Sequence, residues 1–247
     1  MTFYSRYQNG ETQDVYNDIE KLGEKAFSPD FYPDVEKVLI ETFERVKFNL
    51  DIIYNELINI NYVFWKNEIG DDDAIIKPAD NTDQLFNTLA KSIEPVGKLP
   101  QSLKIFYKIV GSCNFAWNYQ ENENIMWEMA DPIQITPLTY CVSEVTDEYW
   151  LEEMHEYIED EEFGSAFLEL SADNFHKDNV SGGAPYALQL TQAKSIDGYF
   201  LNEPNETTFI NYLRICFESC GFPGMRNQSN QSFQNFFDKV KPQLKKI

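Results

Sequence analysis

The chain has 247 residues, is 43% hydrophobic and 15% aromatic, and carries a formal net charge of −21. That is enough apolar material for one large domain or two small ones, and it sets the chain apart from disordered sequences. The charge argues against nucleic acid and against an anionic membrane as partners, because phosphate binding needs Lys and Arg to replace counterions.

The opening MTFYSRYQNGETQD has no charged segment followed by an apolar run, so no secretory signal is expected. No apolar run approaches the roughly 18 residues of a membrane span. The four cysteines, Cys113, Cys141, Cys216 and Cys220, follow no framework spacing, which points to free thiols in a reducing cytoplasm.

Residues 1–32 are polar and turn-rich and read as a flexible N-terminal arm. From Val35 to Ile58 the apolar residues recur at steps of three and four. This predicts a helix over 35–59 with Asp34 as N-cap and a break near Asn49. NYVFWK reads as a short strand and EIGDDDAIIKPADNTD as a loop. Asp83 can cap a second helix, and Leu99-Pro100 opens a third that Gly111 closes. CNFAW, NIMWEM and PIQIT then read as strands, EVTDEYWLEEMHEYIED as helical, AFLEL and YALQL as strands, and GYFLN as one more strand. ETTFINYLRICFESC is an amphipathic helix stopped by Gly221 and Pro223. RNQSNQS reads as a linker, and FQNFFDKVKPQL as an extra C-terminal amphipathic helix. The order is α+β rather than a regular βαβ alternation.

Charge is distributed unevenly. Gly111 to His176 contains no Lys or Arg but sixteen acids. The densest part runs from Glu144 to Glu162 and includes Glu144, Asp147, Glu148, Trp150, Glu152, Glu153, Glu156 and Glu159. One reading is a solvated acidic helix face. The other is a surface for a basic protein partner. Trp117, Tyr119, Trp127, Tyr149 and Trp150 lie in or beside this stretch and could anchor such a partner, though core burial should claim at least half of them.

Residues suited to catalysis are sparse. His155 begins HEYIE, but the second histidine of a zinc-protease helix is replaced by Glu159. Cys216 and Cys220 could share a helix face with His176 nearby, but two thiols on an apolar helix point to the core, so no metal and no cofactor is expected. Nucleotide-binding glycine patterns and a nucleophile elbow are absent. The segment DNFHKDNVSGGAPYALQL joins two predicted strands through fifteen residues, Ser171 to Pro185, too many for a tight hairpin. Its glycines, Gly182 and Gly183, allow positive φ or close backbone approach.

Several segments in order resemble the SUKH superfamily of bacterial immunity proteins, which is related to a yeast regulator of cell-wall synthesis. They are LPQSLKIFYKIVGSCNF, ADPIQITPL, DNFHKDNVSGGAPYALQL, LNEP, TFINYLRICF and GFPG, within residues 34–224. The resemblance implies a single α+β domain over residues 33–224, with a mixed, curved β-sheet flanked by helices, and leaves 225–247 as an appendage. It implies a non-catalytic protein that binds and neutralises a toxin, such as a nuclease effector of a polymorphic toxin system. A regulatory or scaffold module for a host protein is the alternative. The motif matches His176, Lys177, Asn179, Ser181, Gly182, Gly183, Tyr186, Arg214, Gly221 and Pro223 are read as residues that hold the fold. No catalytic residue carries over.

Overall fold

The computed structural model describes residues 1–66, 73–118, 121–122, 127–160 and 164–247. It is α+β, and the predicted elements after residue 32 are largely in place. The N-terminal region differs. Instead of a loose arm, it forms helices α1 (Phe3–Gln8) and α2 (Thr12–Leu22), followed by a 3-10 turn, Gly23–Phe27. Tyr7, Val15, Tyr16 and Ile19 are buried against helix α3 (Tyr32–Asn59). The hydroxyls of Tyr7 and Tyr16 each lie 2.8 Å from the buried hydroxyl of Thr42. Aromatic bodies with satisfied polar tips thus tie down a segment whose average composition is polar.

The apolar stripe of α3 (Val35, Val38, Leu39, Phe43, Val46, Leu50, Ile53, Leu57) is wholly buried. Asp34 does not cap this helix; its carboxylate accepts from the Phe3 amide at 2.6 Å, and Phe31 is the cap residue. Nor does Asn49 break it. Asn49 is buried and exchanges two hydrogen bonds with Lys245, accepting from its amide at 2.7 Å and donating to its carbonyl at 2.8 Å. An amide in mid-helix therefore serves as a clasp for the tail of the chain.

Helices α4 (Thr82–Ile93) and α5 (Gln101–Ile109) follow strand β1 (Ile75–Ile76), which lies in the segment expected as a loop. Asp83 sits inside the first turn of α4, where Asn81 is the cap residue. Strands β2 (Ser112–Asn114) and β3 (Gln134–Ile135) complete an antiparallel sheet in the order β1-β2-β3. Gly111 has φ +92, and an added Cβ would meet the Ile76 carbonyl oxygen at 2.0 Å, so the turn into β2 needs glycine. The predicted strand NIMWEM lies partly outside the described residues, and Trp127–Met129 is not a strand. NYVFWK contributes one bridge, Phe64 to Trp117.

The helical stretch at 144–160 belongs to two helices, α6 (Leu138–Val145) and α7 (Trp150–Glu159). The second sheet follows: β4 (Phe167–Ser171), β5 (Tyr186–Gln189) and β6 (Phe200–Leu201), antiparallel, with Leu168 opposite Leu188 and Leu188 opposite Phe200. All pairing recorded among the described strands is antiparallel. It forms two three-stranded sheets rather than one mixed sheet, and the Thr136 amide bonded to the Leu170 carbonyl at 2.7 Å links them. A single turn, α8 (Asn174–Lys177), lies within the β4–β5 connection.

Helix α9 (Phe209–Glu218) buries Phe209, Tyr212, Leu213 and Phe217, and packs Phe209 on Phe43 and Phe106. The C-terminal helix α10 (Gln231–Val240) is no appendage. Its Phe233 and Phe236 close over Trp127 and Phe222, and Ser232 accepts the Trp127 indole N–H at 2.8 Å. Among the described residues, no helix is long and apolar enough to cross a membrane.

Candidate protein-binding face

The acidic residues of α6 and α7 divide by helical period. Trp150 and Met154, four apart, point inward and are buried. Glu152, Glu153, Glu156 and Glu159 stand on the exposed side, as do Asp147 and Glu148 in the connecting turn. Among the described residues, none of these six acids makes an ion pair with Lys or Arg. Exposed acids without a cationic neighbour project a negative field that can act on a partner.

Trp150 therefore cannot anchor a partner. Its indole is in the core, without a well-aligned acceptor for Nε1. Trp117 and Trp127 are buried as well, and Tyr119 lies outside the described residues. Tyr149 is the exposed member of the expected set, at 65%. Sequence reasoning missed two further exposed aromatics, Tyr140 on α6 and Trp65. They line a groove of about 330 Å³ over β2 and β3, floored by Cys113 and Ile135 with Asp73 at its edge. The signal available for Tyr140 was its place on α6, one residue before the buried Cys141 and therefore turned away from it.

Glu144 differs from its neighbours. It is half-buried, and burial, followed by the nearby Glu169 carboxylate, pushes its carboxyl up to about 7. Burial and then Glu153 raise Glu169 too. At this inner edge of the acidic region, burial favours the neutral carboxyl.

The motif loop resolves into two structural knots. In the first, Asp173 caps α8, accepting from the amides of Phe175 at 2.8 Å and His176 at 3.1 Å, and its second oxygen meets His176 Nδ1. Burial opposes ionisation of Asp173, but these hydrogen bonds outweigh it and hold the carboxyl below its usual value. Gly183, at φ +82, lies against the same carboxylate; a Cβ there would fall 2.6 Å from Asp173 Cγ. Gly182 is at φ +133 with open space around it. Asn179 also takes positive φ, and both it and Ser181 are exposed.

In the second knot, Lys177 turns inward. Its Nζ donates to Asp131 Oδ1 at 2.7 Å and lies 4.4 Å from the Tyr186 ring centre, while Tyr186 Oη donates to Asp131 Oδ2 at 3.2 Å. All three side chains are buried. This triad pins the β4–β5 connection to the segment preceding β3.

The remaining motif positions lie elsewhere. Gly221 accepts from the Ile133 amide at 2.8 Å, and Pro223 opens a 3-10 turn, Pro223–Asn227. Arg214 on α9 hydrogen-bonds Asn211 and the N- and C-terminal segments. Among the described residues, no hydrogen bond joins His176 to a serine or cysteine, and no group of three His, Cys, Asp or Glu side chains could hold a metal. His155 stands exposed on α7.

No family model, no curated protein and no solved structure matches this chain.

Proposed function

We propose that this chain is a non-catalytic cytoplasmic immunity protein that binds and neutralises a basic protein toxin, with α6 and α7 forming the docking face. The observation that carries this reading is the set of six exposed acids on α7 and its preceding turn, without an ion pair among the described residues and adjoining the exposed Tyr149. Long-range attraction speeds encounter and orients a basic partner, while aromatic groups in a groove hold it after contact. A toxin that acts on phosphate-bearing substrates must present cations around its site, so a covering inhibitor gains from this charge.

The test begins with capture of the partner from the source cells and its expression with and without this chain. The parent chain rescues growth. Reversing Glu152, Glu153, Glu156 and Glu159 to Lys changes the local charge by eight units. It should slow association by roughly 10- to 1,000-fold at low salt and flatten the salt dependence. Tyr140→Ala with Tyr149→Ala should instead speed dissociation. Unchanged affinity of the reversed variant at low salt, or a captured partner that is harmless to the cell, would defeat the proposal.

A further inference from the structure

A polar cleft of about 250 Å³ lies between α2, the β5–β6 connection and the start of α9. It takes no residue from α6 or α7, so it is separate from the proposed docking face. Its walls are fixed. On α2, Tyr16 is tied to Thr42 and Ile19 is buried. The connection is held by the carbonyls of Ser195 and Ile196, which accept from the amides of Gln101 at 3.0 Å and Ser102 at 2.8 Å. The Asp197 carboxylate clamps it further, accepting from the Ser102 hydroxyl at 2.9 Å and the Ile210 amide at 3.1 Å.

On these rigid walls stand polar groups with unused hydrogen-bonding capacity. Gln13 Nε2 donates to Asn17 Oδ1 at 3.1 Å, which leaves Gln13 Oε1 and Asn17 Nδ2 without a partner among the described residues. Asn211 Oδ1 accepts from Arg214 at 2.6 Å, which leaves Asn211 Nδ2 in the same state. Among the described residues, no ion pair engages Glu20 or Lys194, and no hydrogen bond engages the Ser195 hydroxyl. Donors and acceptors are thus mixed round the cleft. Its charges balance, with Lys194 and Arg214 against Glu20 and Asp197, so the lining offers an ion no net field. Arg214 is wall rather than ligand-seeking cation, because the Ile247 oxygen takes its Nε and Asn211 its Nη1. Tyr16 is the aromatic residue in the lining. It is buried and carries Arg214 4.7 Å over its ring, so a heteroaromatic base finds no exposed ring to stack on.

We infer that this cleft binds one neutral sugar ring, with its hydroxyls on the free carboxamide atoms of Gln13, Asn17 and Asn211 and on Glu20, Lys194 and Ser195. A hydroxyl both donates and accepts, so a ligand carrying several of them satisfies a mixed set that a purely donating or purely accepting ligand would leave half unpaired. Ile196 and Ile210, also in the lining, meet the C–H groups of the ring. The volume lies below the roughly 300–1,000 Å³ of pockets for drug-sized ligands, which limits the occupant to about one ring.

Titration of the nitrogen-15-labelled full chain with glucose, galactose, mannose and N-acetylglucosamine, followed by NMR, tests this without reference to any toxin. Adenosine and leucine serve as the base and zwitterion controls. At least one sugar should shift the side-chain amides of Gln13, Asn17 and Asn211 and the main-chain amides of Ser195 and Ile196 saturably, with a Kd on the order of a millimolar for about a dozen non-hydrogen atoms. Equal binding of that sugar's methyl glycoside identifies the terminal unit of a glycan as the ligand; loss on methylation identifies the free sugar. Asn17→Ala combined with Glu20→Ala, at two exposed positions of α2, should leave the melting of the free protein unchanged and weaken sugar binding roughly tenfold. The inference is overturned if no sugar shifts these resonances up to about 20 mM. It is also overturned if adenosine or leucine binds as tightly as the best sugar, or if the double variant binds that sugar like the parent.

Discussion

Replacing Lys177 by Met tests whether the motif loop holds the fold together. The Lys177 and Asp131 side chains are 1% and 6% exposed, with 2.7 Å between Nζ and Oδ1. At an effective dielectric near 20, that separation gives a gross attraction of roughly 6 kcal/mol. The cost of burying the ammonium offsets part of it. What removal of Lys177 adds is an unpaired carboxylate held by the Tyr186 hydroxyl alone. A loss of about 3–5 kcal/mol follows for a pair broken on one side. Met retains most of the stem, so the packing change is small. The companion substitution is Asp131→Asn, because Asn tolerates the φ of +48 at that position. Urea unfolding of the parent, both single variants and the double variant closes a cycle. The double variant should recover at least about 1.5 kcal/mol relative to additivity, since the two sites are in direct contact. A Lys177→Met loss below about 1 kcal/mol, or a strictly additive cycle, would refute the reasoning.

The two glycines of the loop should separate in thermal melts. Gly183→Val forces a Cβ against the Asp173 carboxylate as well as straining φ and should cost about 2–3 kcal/mol, whereas Gly182→Val meets only backbone strain and should cost about 1–2 kcal/mol. Glu144→Gln should alter the pH profile of stability. With its carboxyl raised to about 7, the folded state holds a proton that the unfolded state releases near 4.5. Parent stability therefore falls as pH rises through that window, by roughly 2 kcal/mol after allowance for partial solvent screening. The Gln variant should lose this slope in urea midpoints taken at acid and mildly alkaline pH, and parallel profiles would contradict the assignment.

What could be read from the sequence depended on how local the stabilising contact was. Helix α3 was legible because its apolar stripe repeats over 28 residues and needs no partner to be seen. Helix α1 was not. Its six residues are held by Tyr7 meeting Thr42 across 35 positions, and no local pattern announces such a contact. The same holds for the C-terminal segment, where Asn49 reaches Lys245 across 196 positions. An Asn within a helical stripe reads as a weak point until its distant partner is known. Strand β1 is two residues long, below the length at which alternation means anything. The glycine pair and the Pro-Gly punctuation were legible as backbone devices because φ is a local property. The partner of Lys177 was not, since Asp131 is one acid among sixteen in the same stretch.

That stretch itself shows why charge counted along a sequence overstates charge on a surface. Asp131 is spent on Lys177, Asp173 on the start of α8 and His176, and Glu144 and Glu169 are half-buried and raised toward neutrality. Trp150 looked like an interface anchor because acids surround it in sequence. Its spacing of four from Met154 placed both on the inner side of α7 and sent Glu152, Glu153, Glu156 and Glu159 outward. The charged part of the proposed docking face is thus one side of α7 and its preceding turn. A partner matched to it needs a basic patch about one helix long, some 15 Å at 1.5 Å per residue, rather than a broad cationic surface. Reversal of the four outward glutamates should accordingly remove most of the steering, because only Asp147 and Glu148 of the six exposed acids would remain.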